Sequence, residues 1–228
     1  MHITDLSPFT PKLPYSSHCM AFDVSQYQDE DYAFFGQPFP SKLQRAVAKR
    51  KAEYLAGRVC ASRAMKSCGI ANFTLHSAED RSPIWPENIR GTITHSKGIA
   101  MAMVSDSIDV LGIGIDIEHH MTEKQEQELR SQILRDDEHD AFELLRTYHQ
   151  KPLTIVFSAK ESIYKALYGQ VQTFFGFDAA QLIKCDEYRL QFSLTKTLHD
   201  DLPKGTEITV YYQSVQNMVL TECVNLKR

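Results

Sequence analysis

Leu111-Gly112-Ile113-Gly114-Ile115-Asp116-Ile117-Glu118 is the most informative stretch of this chain. On a β-strand, alternate side chains face opposite ways. Leu111, Ile113, Ile115 and Ile117 then form a wholly apolar face, and Gly112, Gly114, Asp116 and Glu118 form the other. The second face is bare along its first half and ends in two carboxylates side by side. Unpaired carboxylates so close repel each other, which costs stability or raises a pKa. A hard divalent cation relieves the repulsion by binding oxygens of both, and the glycines leave room for a ligand to approach the backbone. The competing reading is an edge strand with a solvated Asp and Glu.

Working outward, Ile99–Ser105 reads as a second strand, joined to the first by a hairpin turn at Ser105–Asp109. Residues 42–67 lack proline and place Leu43, Val47, Tyr54, Ala61 and Met65 at helical spacing, which predicts a long amphipathic helix capped by Gly69. Residues 79–91, with Pro83, Trp85, Pro86 and Gly91, form a structured loop. Residues 1–40 are irregular and punctuated by prolines, with a strand at Met20–Val24. Residues 122–147 are polar and helical, and Pro152 opens a helix that runs to about Tyr168. After Gly176, residues 180–185, 188–195, 207–213 and 217–225 alternate as short strands. The order is α+β rather than a regular βαβ alternation. Neither GxGxxG nor a P-loop occurs, so both nucleotide fingerprints are excluded.

The length of 228 residues suits one large or two small domains, and 43% hydrophobic with 24% charged residues excludes collagen, low-complexity disorder and a disulfide mini-protein. The net charge of −4 argues against a globally basic nucleic-acid binder. That sum hides two opposed segments. Residues 42–66 hold eight basic residues against one acidic, and residues 116–143 hold ten acidic against three basic. Five scattered cysteines without a C-x-x-C point away from a disulfide framework and a zinc site. No signal segment is visible, and the longest apolar run, Ile99–Val104, is far short of the ~18 residues of a membrane span. The expectation is a cytoplasmic protein with no membrane span.

Three further stretches carry chemistry. In Phe157-Ser158-Ala159-Lys160-Glu161-Ser162-Ile163-Tyr164-Lys165, Glu161 and Lys165 share a helix face four residues apart. Taken alone they read as a surface ion pair, against a third carboxylate for a metal with a lysine for a phosphate. In the basic helix, Arg50 and Arg58 diverge by only ~80° and can converge on one phosphate. A solvated basic face is the alternative, although Gly57 inside the helix costs roughly 1 kcal/mol and suggests close packing or a ligand. Gly91-Thr92-Ile93-Thr94-His95-Ser96-Lys97-Gly98 sets a histidine between hydroxyls at a turn, where it could hold a pyrophosphate or be merely structural. His119 and His120 are strand neighbours that face apart, so they do not read as a metal pair.

Together these stretches resemble the 4′-phosphopantetheinyl transferases, and within them the enterobactin-synthase component D subgroup of the surfactin-type class. The matching residues are Arg50-Lys51-x-Glu53-x-Leu55-Ala56-Gly57-Arg58, then Pro83-x-Trp85-Pro86 leading to Gly91-x-Ile93-Thr94-His95. Gly114-Ile115-Asp116-Ile117-Glu118 and Phe157-Ser158-Ala159-Lys160-Glu161-Ser162-x-x-Lys165 complete the set, in the family's order. Thr94 stands where many members have serine, which keeps the hydroxyl. The first 40 residues and the tail after about 170 match no motif.

The resemblance implies an α+β fold of two similar halves forming an intramolecular pseudo-dimer, with the active site between them. Residues 1–108 would be an N-terminal half with the basic coenzyme A-binding helix, and residues 109–228 a C-terminal half with the metal-binding carboxylates. It implies transfer of 4′-phosphopantetheine from coenzyme A to a serine of an apo carrier protein, releasing adenosine 3′,5′-bisphosphate. Asp116, Glu118 and Glu161 would hold magnesium, with manganese as the alternative ion. Arg50, Arg58, Arg81, Thr94, His95, Lys160 and Lys165 would hold coenzyme A, the co-substrate. Lys165 would neutralise charge as the phosphoanhydride breaks, and Glu161, directly or through water, would be the general base. The implied partner is an apo carrier domain of a nonribosomal peptide, polyketide or fatty acid synthase, with siderophore synthesis suggested by the subgroup and no nucleic acid involved. Carrier proteins are typically acidic, so docking falls to basic or apolar groups. Two other functions stay open on the residues alone: a metal-dependent phosphohydrolase or nuclease, and a non-catalytic coenzyme A-binding assembly subunit.

Overall fold

A computed structural model describes residues 1–227 of the chain. The chain folds as two compact units, one of Met1–Thr10 with Pro14–Ile108, the other of Pro11–Leu13 with the chain from Asp109 on. The short Pro11–Leu13 strap belongs to the second unit for a specific reason. The buried Glu222 carboxylate accepts the backbone N–H of Lys12 at 2.8 Å and of Leu13 at 2.8 Å.

The first unit contains β1 (Ile3–Thr4), β2 (Ser16–Phe22), a short α1 (Asp31–Phe34), α2 (Ala48–Ser67), β3 (His76–Ser77), β4 (Pro83–Ile84), β5 (Arg90–Ser96) and β6 (Ile99–Ser105). Its main sheet is antiparallel in the order β1-β2-β6-β5, with β3 and β4 as a separate ribbon. Helix α2 packs on β2, β6 and β5.

Two expectations change here. The helix begins at Ala48, because Leu43 turns inward on a 3₁₀ turn at Ser41–Leu43 and Val47 stays extended. Nor is α2 amphipathic along its length: residues Leu55–Ala61 are all buried, as in a helix covered all round. Gly57 serves that packing, since a Cβ there would lie 2.8 Å from Cγ2 of Ile93 on β5.

The β5–β6 hairpin turns at Lys97 and Gly98, both at positive φ (37° and 87°), as a tight two-residue hairpin turn requires. His95 therefore sits on β5, short of the turn. The expected hairpin at Ser105–Asp109 does not form. Both edges of β6 are already paired with β2 and β5, so the strand that follows enters another sheet.

The second unit contains β7 (Val110–His119), α3 (Glu123–Ile133), α4 (His139–Tyr148), α5 (Pro152–Val171), β8 (Ala180–Cys185), β9 (Arg189–Leu194), β10 (Glu207–Val215) and β11 (Met218–Leu226). Its sheet is antiparallel in the order β7-β11-β10-β9-β8. Thr122 and Gln125 form the capping box that starts α3, and Pro152 occupies the first turn of α5. The polar stretch 122–147 is two helices rather than one, broken at Leu134 and a 3₁₀ turn where the Glu138 carboxylate accepts the Arg135 N–H at 2.7 Å. Ile163, Leu190, Phe192, Val210 and Tyr212 lie in the core of this unit. Each unit thus sets one 20-residue helix on an antiparallel sheet, and the α+β class read from the sequence is the observed one.

The glycines of the octet do not open the backbone to a ligand. A Cβ on Gly112 would collide with the backbone carbonyl of Ala166, and one on Gly114 with that of Ser162. The bare half of the strand face is where α5 lies directly on β7. Gly114→Ala is therefore expected to lower stability in urea unfolding by about 3 kcal/mol or more, at the upper end for overpacking because backbone cannot yield as a side chain does. Gly169→Ala, at an exposed α5 position with no neighbour within 4 Å of the added Cβ, is expected to raise it by ~0.5–1 kcal/mol.

Candidate active site

Beyond Gly114 the same strand face reaches Asp116, which is 5% exposed. Its carboxylate is held from two sides by α5. Lys165 Nζ donates to Oδ1 at 2.7 Å and to the Ile115 carbonyl at 3.0 Å, while Ser158 Oγ donates to Oδ2 at 2.9 Å. Lys165 thus turns to Asp116 and not to Glu161, its neighbour four residues back on the helix. Glu118, one alternation further along β7, is half-buried. Burial, then the Asp116 charge and also that of Glu161, push its carboxyl up to about 7, with Lys165 opposing. Burial also raises Glu161, with Asp116 adding and Lys165 opposing. The three carboxylates share one electrostatic field, and Lys165 is the cation that tempers it. A cavity of about 210 Å³ opens beside Glu161, lined by Ile163, Tyr164, Phe174, Phe175 and Phe177.

Lys160 stands apart from this group. It is 2% exposed, and its Nζ donates to the Glu138 carboxylate at 2.9 Å and to the Ile133 carbonyl at 2.8 Å. Burial lowers its pKa, and Glu138 resists the shift. The other Glu138 oxygen accepts the Leu182 N–H at 2.6 Å. The pair ties α5 to the end of α3 and to β8.

In the first unit, Arg50 and His95 meet, with Nη1 and Nε2 3.4 Å apart, and Glu53 lies 3.9 Å from the other ring nitrogen of His95. Arg58 is buried at 7% exposure, with its guanidinium 4.3 Å from the Tyr54 ring centroid and donating to Ser77 Oγ at 2.7 Å. Its Nε is buried with no hydrogen-bond partner, and burial lowers its pKa. It lines a cavity of about 330 Å³ with Lys42, Tyr54, His76 and Ser77. Thr94 is buried on the opposite side of β5 from His95, as strand alternation demands. Arg81 is exposed in the turn between β3 and β4 at φ 74° and does not line that cavity.

Comparison with known proteins bears on both halves of this geometry. The 4′-phosphopantetheinyl transferase N-terminal domain matches residues 39–105, and the 4′-phosphopantetheinyl transferase superfamily matches residues 112–217. The enterobactin synthase component D of Salmonella typhimurium is 32% identical over 212 residues, covering 92% of this chain and 87% of its own. That of Escherichia coli K12 is 31% identical over 214 residues, covering 92% and 95%. The 4′-phosphopantetheinyl transferase PptT of Mycobacterium tuberculosis is 29% identical over 157 residues, covering 64% of each chain. The chain belongs to the 4′-phosphopantetheinyl transferase superfamily. It is a transferase that moves phosphopantetheine from coenzyme A to carrier proteins.

The donor chemistry at the carboxylates suits the divalent cation implied for this family. Three hard oxygen donors share a field in which burial and mutual repulsion raise two pKa values, and a cation would cancel that cost. Among the described residues no three His, Cys, Asp or Glu side chains converge as a finished cage. Mg²⁺ does not need one, because it keeps several waters and takes substrate phosphate oxygens beside its carboxylates rather than a dedicated all-protein cage. No helix among the described residues is long and apolar enough to cross a membrane.

The structure thus brings Asp116, Lys165, Glu118 and Glu161 into one field, and Arg50 together with His95. It commits Lys160 to Glu138, leaves Arg81 exposed and outside the lining of the Arg58 cavity, and sets Thr94 on the opposite side of β5 from His95. Sequence reasoning missed Tyr54 and Ser77 around Arg58, and Ser158 and Thr221 behind Asp116. Ser158 lies inside a matched motif, but nothing in the sequence marks its partner on β11. Replacing one member of a buried ion pair strands the other, so Lys160→Ala is expected to cost ~3–5 kcal/mol in urea unfolding. The double replacement Lys160→Met with Glu138→Leu should recover only part of that loss, because the Leu182 and Arg135 N–H groups and the Ile133 carbonyl then lose their partners. Removing the exposed Lys124–Glu128 pair on α3 through Lys124→Ala should cost under about 1 kcal/mol.

Proposed function

We propose that the chain loads 4′-phosphopantetheine onto apo carrier domains of a nonribosomal peptide assembly line that makes a siderophore. Magnesium, or manganese in its place, would be held by Asp116, Glu118 and Glu161. Similarity to enterobactin synthase component D over nine-tenths of the chain supports the choice of carrier. One observation carries the choice of residues: three carboxylates in one partly buried field, with Lys165 donating into it.

Each residue then has a task. Arg50, His95 and Arg58 take coenzyme A phosphates, and the buried, incompletely paired guanidinium of Arg58 gains most from an anion. Arg81 and Thr94 are secondary contacts. Lys165 neutralises charge on the pyrophosphate as the bond breaks. The carrier serine oxygen bonds to the phosphorus of the pantetheine phosphate, and the phosphoanhydride bond to adenosine 3′,5′-bisphosphate breaks. Glu161 takes the serine proton, directly or through water, and burial raises its basicity for that task. The cation, when bound, supplies charge neutralisation on the pyrophosphate. The aromatic cavity beside Glu161 suits the apolar stretch of the pantetheine arm. Lys160, paired with Glu138, acts from behind by anchoring α5 next to Glu161.

The test is intact-mass measurement over a panel of apo peptidyl, aryl and acyl carriers. The expected result is a gain of one phosphopantetheine, dependent on coenzyme A and Mg²⁺, strongest on carriers of siderophore synthesis. Hydrolysis of coenzyme A without any carrier, or no gain on any carrier, overturns the reading. Asp116→Ala is expected to abolish transfer. Arg50→Ala is expected to raise KM for coenzyme A at least about tenfold with kcat nearly unchanged, and a fall in kcat alone contradicts its role.

A further inference from the structure

Thr221 lies on β11 directly opposite Asp116 on β7, beyond the segment 112–217 that the superfamily matches. It is fully buried, as are Ser158 and Ser162 on α5. Thr221 Oγ1 is 2.6 Å from Ser162 Oγ and 2.9 Å from Ser158 Oγ, and it also donates to the Ser158 carbonyl at 2.9 Å. Ser158 Oγ in turn lies 2.9 Å from Asp116 Oδ2. A hydroxyl has one proton, and an ionised carboxylate only accepts. Ser158 must therefore donate to Asp116. Thr221 spends its one proton on the Ser158 carbonyl, and the Ser162 hydroxyl lies against both the hydroxyl and, at 3.2 Å, the carbonyl of Thr221. Thr221 thus grips the residue whose hydroxyl the Asp116 charge orients.

We propose that Thr221 is a positioning residue for phosphopantetheine transfer: with Ser162 it forms a buried hydroxyl cluster that holds Ser158, by its carbonyl and hydroxyl, where Ser158 fixes the Asp116 carboxylate. Three buried hydroxyls are a poor choice for packing alone, because each costs free energy unless it is hydrogen-bonded. Here every one is satisfied, and the cluster ends on a carboxylate that Lys165 holds from the other side. Outer partners of this kind orient metal-binding carboxylates and tune their affinity. The inference rests on the reading of Asp116 as a metal ligand.

Two substitutions separate positioning from packing. Thr221→Val keeps the shape and loses the hydroxyl, whereas Thr221→Ser keeps the hydroxyl and leaves a methyl-sized gap. Mn²⁺ affinity, measured by electron paramagnetic resonance in the presence of coenzyme A, should weaken on the order of tenfold in Thr221→Val. Its kcat should fall in step while KM for coenzyme A changes less than about twofold. Thr221→Ser should bind Mn²⁺ within about twofold of the unsubstituted protein, even where its melting temperature is the lower of the two. The reverse order, with Thr221→Val near normal and Thr221→Ser impaired, shows a packing role and overturns the proposal, as does equal behaviour of the two. If Thr221→Val fails to fold, Ser158→Ala takes its place and should show the same loss in Mn²⁺ affinity and kcat; normal values overturn the proposal. Asp116→Asn tests the underlying reading separately. If it binds Mn²⁺ normally, that reading fails, and the order of kcat between Thr221→Ser and Thr221→Val alone decides whether the hydroxyl cluster positions Asp116.

Discussion

Where α5 crosses β7, two backbones meet with almost nothing between them. Gly112 and Gly114 carry no side chain, and the space a Cβ would need is filled by the carbonyls of Ala166 and Ser162. The match is one of repeat lengths. Four residues of helix advance ~6 Å, and two residues of strand advance ~6.6 Å. Ala166, Ser162 and Ser158 therefore step along Gly112, Gly114 and Asp116 in near register. The contact sets the height of the helix above the sheet, and that height decides what the helix can reach. A helix lifted by even one methyl group would carry Ser158 and Lys165 away from the Asp116 carboxylate.

The electrostatics of the site follow from that closeness. Burial where α5 meets the acidic end of β7 removes water from both and raises Glu118 and Glu161. The strand would be an unstable place for these charges without compensation. Lys165 supplies part of it from the same helix, reaching Asp116 and the Ile115 carbonyl at once. Lys160, five residues earlier, points to the other side of α5 and is neutralised by Glu138 in the core. Two lysines that look equivalent in the sequence thus divide into one that faces the carboxylates and one that fastens the helix.

Periodicity made most of this architecture legible. The alternation in 111–118 placed β7, the proline at 152 placed the start of α5, and the four tail strands fell close to their observed limits. What escaped was tertiary. The hairpin expected at Ser105–Asp109 failed because pairing partners are chosen across the chain, and both edges of β6 were taken. The basic helix read as amphipathic because spacing reports one buried face, whereas Leu55–Ala61 is buried all round. Glu161 and Lys165 read as a surface ion pair because helical spacing shows neighbours on one helix and not a carboxylate arriving from a strand. The octet glycines read as access for a ligand because the absence of a side chain is the same signal whether a ligand or a helix fills the space.

The tail shows most clearly why local motifs underdetermine a site. Residues after about 170 match no motif, yet β11 lies between β7 and β10 and brings Thr221 opposite Asp116. On α5, the strip Thr154, Ser158, Ser162 and Ala166 changes from methyl to hydroxyl as it approaches the acidic end of β7, and all four residues are buried. Serine and threonine are weaker helix formers than alanine, and buried hydroxyls need partners. Alanine throughout would have packed against the glycines as well. The hydroxyls begin where the strand stops being bare: Ser162 over Gly114, Ser158 bonded to Asp116, and Thr154 accepting the Met121 N–H at 2.9 Å just past the carboxylates. The helix is therefore matched to the strand twice, in height by the absence of side chains and in polarity by the hydroxyls.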